Sequence, residues 1–172
     1  KTILVLGGSL GAKSINESIL NNISLIRESS YQVIWQTGKF YYKNILSKNI
    51  KDNNLVIKDF IDRMDFAYNV SDIIVSRAGA IAISELCVIS KPLILIPSPN
   101  VVDDHQTKNA NAIAERGGCI VIKDSDAKNT MIKTAFDLFE NKTRMNKMKD
   151  SLMKLASPNA TKKIVNKIYD LI

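Results

Sequence analysis

Histidine occurs once in this sequence, at His105, and cysteine twice, at Cys87 and Cys119. With one histidine, neither a multi-histidine metal site nor a hydrolytic triad is expected. The cysteines lie in apolar surroundings without metal-ligand spacing, so they read as reduced core thiols of a cytoplasmic protein. No run of 18 apolar residues exists, and nothing is predicted to span a membrane. Internal repeats, low-complexity tracts and interdomain linkers are also missing. The chain enters its first strand straight after Lys1-Thr2, without an initiator methionine or a signal-like segment, as expected of a piece of a longer protein.

What is present is an ordinary globular composition, 45% hydrophobic and 24% charged, in 172 residues. That length fits one domain with a substantial core. The net charge of +7 is unevenly placed: Lys142 to Lys167 holds eight Lys or Arg against the single acid Asp150. Such a face meets nucleic acid or an anionic membrane surface, or is simply a solvated helix face. Aromatic residues do not interleave with the lysines, which argues against nucleic acid.

Short apolar runs alternate with helical patterns. Ile3–Leu6, Tyr31–Trp35, Leu55–Ile57, Asp72–Val75, Leu93–Ile96 and Cys119–Ile122 read as strands. Helices are predicted over Ser14–Glu28, Lys39–Lys48, Asn129–Glu140 and Lys142–Leu155, with others ending near Tyr68, Arg116 and Leu171. Parallel strands need crossover helices, so the expectation is an α/β fold, a doubly wound, Rossmann-like parallel sheet of about six strands.

Three stretches carry the chemistry. The first is Gly7-Gly8-Ser9-Leu10-Gly11-Ala12 between a strand and a helix, which reads either as a phosphate cradle or as a simple tight turn. It lacks the full dinucleotide spacing and a P-loop Lys-Ser/Thr ending. The second is Ser76–Glu85, where small, flexible Arg77-Ala78-Gly79-Ala80 opens a helix whose first amides would face an anion. Glu85, one turn inside, is either a surface acid or an acceptor for a sugar diol. The third is Asp103–Asn109. Asp103 and Asp104 are expected to cap the next helix rather than bind a cation, and His105 and Gln106 either cap it or contact a ligand. Phe60, Ile61 and Met64 are core by default, with backbone that could meet a flat base. Two helix starts flanking one strand predict a cleft at the carboxyl end of the sheet. No general base or nucleophile stands near the glycine loop. The residues alone thus describe a domain that holds a phosphorylated, sugar-bearing nucleotide while catalysis comes from elsewhere.

GGSLGAKSIN at 7–16, FIDRM at 60–64, SRAGAIAISE at 76–85, DDHQTKNA at 103–110 and ASPNATKKI near the end together resemble the MurG family of GT-B glycosyltransferases. The resemblance covers essentially the whole chain and corresponds to the carboxyl-terminal, UDP-sugar-binding half. Residues 1–172 would be that single donor domain, with the acceptor domain and its catalytic base lying in an absent N-terminal half. The family transfers N-acetylglucosamine from UDP to lipid I in peptidoglycan synthesis. The resemblance implies that Ser9 with Gly7, Gly8 and Gly11 faces the diphosphate. It gives Phe60, Ile61 and Met64 a uracil pocket, with the Ile61 backbone bonding the base. Ala80, Ile81 and Ala82 would meet the diphosphate, Glu85 the ribose, and His105 and Gln106 the N-acetylglucosamine. Leu10 stands where many members have glutamine, Ala82 where threonine is common, and His105 where some have glutamine. The implied reaction is an inverting displacement without metal or other cofactor. The implied partners are UDP-N-acetylglucosamine, lipid I through the missing domain and the cytoplasmic membrane surface, with no nucleic acid. A donor subunit of another lipid-linked GT-B enzyme, or a non-catalytic nucleotide-sugar binding module, is the alternative.

Overall fold

The computed structural model describes residues 1–50 and 52–171; of the expected domain span 1–172, Lys51 and Ile172 lie outside the described residues. Six strands form one parallel sheet: β1 (Thr2–Leu6), β2 (Gln32–Gln36), β3 (Leu55–Lys58), β4 (Ile73–Ser76), β5 (Leu93–Leu95) and β6 (Cys119–Val121). Their order is β3-β2-β1-β4-β5-β6. The helices are α1 (Lys13–Asn21), α2 (Ile23–Glu28), α3 (Lys39–Leu46), α4 (Met64–Val70), α5 (Ala80–Ile89), α6 (His105–Ala114), α7 (Asp124–Phe139), α8 (Lys142–Leu155) and α9 (Ala160–Tyr169). The doubly wound expectation holds.

The two-residue period of a strand explains how both faces are covered. Ile3, Val5, Val33, Trp35, Ile73, Val75 and Ile94 point to one layer, where α1, α3 and α7 supply Ile15, Ile19, Ile45, Met131 and Ile132. Leu4, Leu6, Ile74, Leu93 and Leu95 point to the other, against Tyr68 of α4, Leu86 of α5 and Ile113 of α6. Helix α8 packs on α5 and α7 and serves both layers, through Met148 and Leu152. No described residue of α9 is buried.

Two predicted helices differ from those observed. Ser14–Glu28 is not continuous but breaks at Asn22, whose Nδ2 donates to the carbonyls of Ser18 at 2.8 Å and Lys128 at 3.3 Å. A short amide side chain bonding nearby backbone competes with the helical ladder. Helix α7 begins at Asp124 rather than Asn129, with Asp124 and Asp126 in its first turn, where a carboxylate favours the positive end of the dipole.

Both cysteines are free and buried. Burial pushes the Cys119 thiol up to about 12, and the Cys87 thiol is raised for the same reason. Since the thiolate is the reactive form, a disulfide-exchange reagent at pH 8 is expected to leave both thiols untouched in the native chain. Both should react once denaturant is added. Rapid labelling of either in native buffer would contradict their placement in the core.

Candidate functional site

Strand order reverses between β1 and β4: the chain runs outward from β1 to the edge at β3, then returns beside β1. In open α/β sheets the crevice beyond the carboxyl ends of such a pair is where ligands bind. The helices that follow these strands, α1 and α5, start at that end of the sheet and pack on its opposite faces. Neither has a side-chain cap nor an acid in its first turn. On α5 the first intrahelical donor is the amide of Ile83, bonded to the Gly79 carbonyl at 2.9 Å. The amides of Ala80, Ile81 and Ala82 therefore have no partner within the helix, and the positive dipole end is uncompensated. By contrast α7 carries two aspartates at its start. Anion-ready ends occur at the switch point.

The glycine loop after β1 is tied to β2. The Gly7 amide donates to the Gln36 carbonyl at 3.2 Å, and the Lys39 amide donates to the Ser9 carbonyl at 3.1 Å. Gly8, Ser9 and Leu10 are exposed. Lys39, not singled out by sequence, also brings its Nζ to 5.6 Å from the Phe60 ring centroid, so a cation stands between this loop and the start of α4.

Phe60 and Ile61 precede α4 and Met64 opens it. The Ile61 amide is already engaged, by Gln36 Oε1 at 3.0 Å. Glu85 is exposed on α5, four residues beyond the exposed Ile81, hence on the same helix face. It lies against Tyr68 of α4: burial, then the Glu85 charge and hydrogen bond, push that phenol well above its ordinary value.

The loop 77–79 is not flexible, contrary to the sequence expectation. Arg77 Nη1 donates to the carbonyls of Ile96 at 3.0 Å and Pro97 at 3.2 Å and to Asp124 Oδ1 at 2.5 Å. Its Nη2 donates to Ser14 Oγ at 3.2 Å. The Ala78 amide donates to Gln106 Oε1 at 3.2 Å, and the Ala78 carbonyl accepts from Asn109 Nδ2 at 3.2 Å. Long-range side chains supply the rigidity that Ala and Gly lack.

Asp103 and Asp104 do not cap α6, which corrects the capping expectation. Both adopt left-handed backbone, φ 54° and 51°, and Asp104 at the N-cap position makes no side-chain cap bond. His105 opens the helix with Nδ1 donating to the Val102 carbonyl at 2.8 Å, which leaves Nε2 as the unprotonated, accepting nitrogen. Gln106 Oε1 accepts a second amide, that of Ser98, at 2.9 Å. Its oxygen is occupied, and its Nε2 remains as a donor for a ligand hydroxyl.

A polar cavity of about 580 Å³ is lined by Gly7, Gly11, Ser14, Arg77, Ser98 and Gln106, among others. Phe60, Ile61, Met64 and Glu85 do not line it, nor do Gly8, Ser9, Ala80, Ile81, Ala82 or His105; Ile61 and Met64 are half-buried against the second layer. Of the sequence candidates, Gly7, Gly11 and Gln106 share this cavity, and the others lie outside its lining.

The sequence pattern that defines the glycosyltransferase family 28 C-terminal domain matches residues 2–166. The chain belongs to this family. Relatives similar to it are named UDP-N-acetylglucosamine–N-acetylmuramyl-(pentapeptide) pyrophosphoryl-undecaprenol N-acetylglucosamine transferase. That of Cytophaga hutchinsonii is 44% identical over 99% of this chain and 46% of its own length. That of Flavobacterium psychrophilum is 45% identical over 100% of this chain and 47% of its own. The crystal structure of Acinetobacter baumannii MurG aligns with a TM-score of 0.83 at 30% identity, over 98% of this chain and 49% of that one. The family 28 chain described here spans about half the length of the curated relatives it matches. The resemblance read from the motifs is upheld.

Proposed function

We propose that the chain is the donor-binding half of an inverting N-acetylglucosaminyltransferase that converts lipid I to lipid II in peptidoglycan synthesis. One observation carries this reading: the chain is similar over its whole length to transferases named for UDP-N-acetylglucosamine. The paired uncapped starts of α1 and α5 support it, as they suit a diphosphate.

In this reading Ser9, Gly7, Gly8 and Gly11 face the diphosphate from one side, and the amides of Ala80, Ile81 and Ala82 from the other. Phe60, Ile61 and Met64 receive the uracil, and Glu85 accepts from the ribose hydroxyls. Gln106 Nε2 and His105 Nε2 reach the sugar. The acceptor hydroxyl attacks the anomeric carbon as the bond to UDP breaks, and its proton passes to a base on the N-terminal half. The negative charge that develops on UDP falls on preorganised amides, which need no rearrangement to stabilise it. Residues 1–172 then form one donor domain of a two-domain enzyme, peripheral on the cytoplasmic face of the bacterial inner membrane. Among the described residues no helix is long and apolar enough to cross a membrane.

Calorimetric titration with UDP-N-acetylglucosamine, UDP-N-acetylgalactosamine and UDP tests the assignment. UDP-N-acetylglucosamine should bind better than its 4-epimer. Glu85→Ala should weaken all three by about tenfold or more, the loss of a charge-assisted hydrogen bond. Failure of every uridine nucleotide at millimolar concentration, in this chain and in the full-length protein alike, would overturn it.

A further inference from the structure

Gln36 is the last residue of β2, and β2 lies between β1 and β3 in the sheet. From that position one side chain can reach the loops that follow both neighbours. Its carboxamide does so from a buried site, 5% exposed. Nε2 donates to the Gly8 carbonyl at 3.2 Å, and Oε1 accepts from the Ile61 amide at 3.0 Å. The backbone carbonyl of the same residue accepts from the Gly7 amide at 3.2 Å. Both ends of a buried amide are thus spent on two loops that do not otherwise follow one another in the chain.

Those loops are the two that would hold opposite ends of a nucleotide. Gly8 belongs to the diphosphate loop and Ile61 to the base-facing loop. We propose that Gln36 is a positioning residue for pyrimidine nucleoside diphosphates, fixing the separation between the glycine loop and the 59–64 loop. The proposal rests on the donor-site reading above. Its consequence differs from that of a general packing residue. An error in the spacing of two loops is felt by a ligand that touches both, and little by one that touches a single loop.

The experiment compares wild type with Gln36→Met, which keeps the shape and removes both hydrogen bonds, and Gln36→Glu, which keeps an acceptor for Ile61. Binding of UDP and of uridine is measured by nuclear magnetic resonance titration, and amide hydrogen exchange is followed at Ile61 and Ile74. Gln36→Met should weaken UDP by about tenfold and uridine by less than about twofold, the scale of one or two hydrogen bonds. Exchange at Ile61 should quicken about tenfold while Ile74, in the central strand β4, keeps its protection. Gln36→Glu should restore protection at Ile61 yet leave UDP weakened, because the bond to Gly8 is gone. Equal losses for UDP and uridine would reduce Gln36 to a packing residue and overturn the proposal. Unchanged exchange at Ile61 in Gln36→Met would also overturn it, whatever the nucleotides do. If exchange responds as expected but wild type binds neither ligand, the donor-site reading has failed and the proposal falls with it.

Discussion

Gly38→Ala is expected to abolish measurable UDP binding and to lower the thermal midpoint by about 6–12 °C, corresponding to roughly 3 kcal/mol in a domain of this size. A methyl group at Gly38 would sit 2.1 Å from the Gly11 nitrogen, 2.2 Å from its Cα and 2.4 Å from the Leu10 carbonyl carbon. All three are backbone atoms, so no side chain can swing aside. The backbone at Gly38 is also left-handed, φ 80°, which a side chain disfavours by itself. Relief requires the glycine loop to move off the end of β2, and with it the amides and the Ser9 hydroxyl assigned to the diphosphate. Gly79→Ala is the contrast: a methyl there meets nothing within 4 Å, at an ordinary φ of −67°. That variant should fold at least as stably, by about 0.4–1 kcal/mol through the unfolded chain. Scanning fluorimetry and a UDP titration on the two variants read both effects. Equal tolerance of the two substitutions would mean that the glycine loop does not depend on contact with Gly38.

Gly38 illustrates what the sequence does and does not disclose. The apolar runs at Ile3–Leu6 and Leu93–Ile96 announce buried parallel strands because both faces of each are covered, and strand periodicity then divides their residues between two layers. Glycine-rich turns followed by helices announce anion-ready amides. The motif-bearing candidates stand out in the sequence for the same reason: their chemistry is local, a turn of chain holding its own donors. The residues that hold the site together were not. Gln36 lies 25 positions from Ile61 and 28 from Gly8. Its bridging role exists only because the sheet order sets β2 between β1 and β3. The local signal is only a Gln-Thr-Gly closing the second strand. Tyr68 likewise entered the sequence reading only as the end of a predicted helix, whereas the fold buries it in the second layer. The same holds for Asp103 and Asp104, whose composition favours capping, while the chain path ahead of α6 holds both in left-handed backbone without a side-chain cap bond.

Arg77 gives the second large effect, and its partners set the size. Its guanidinium joins the end of β5, through the carbonyls of Ile96 and Pro97, to Ser14 at the start of α1 and Asp124 at the start of α7. Ser14 Oγ donates to the same Asp124 oxygen at 2.5 Å, closing a three-residue network. An arginine beside a phosphate-ready helix start invites the reading of a phosphate ligand, but these donors are committed to protein. The side chains are 19% and 25% exposed, between the surface pairs worth under about 1 kcal/mol and the buried ones whose breakage costs about 3–5 kcal/mol. Arg77→Met should therefore cost about 2–3 kcal/mol, a fall of about 4–12 °C in thermal midpoint, because it strands Asp124 and two carbonyls. Asp124→Asn should cost less, since the amide oxygen still accepts from Arg77 and Ser14. The double variant should fall short of the sum, as expected for two members of one network. Added salt should change the Arg77→Met deficit little, since a pair this enclosed is weakly screened. A full additive loss, or a deficit that disappears in molar salt, would show Arg77 to be a surface charge rather than the tie between β5, α1 and α7.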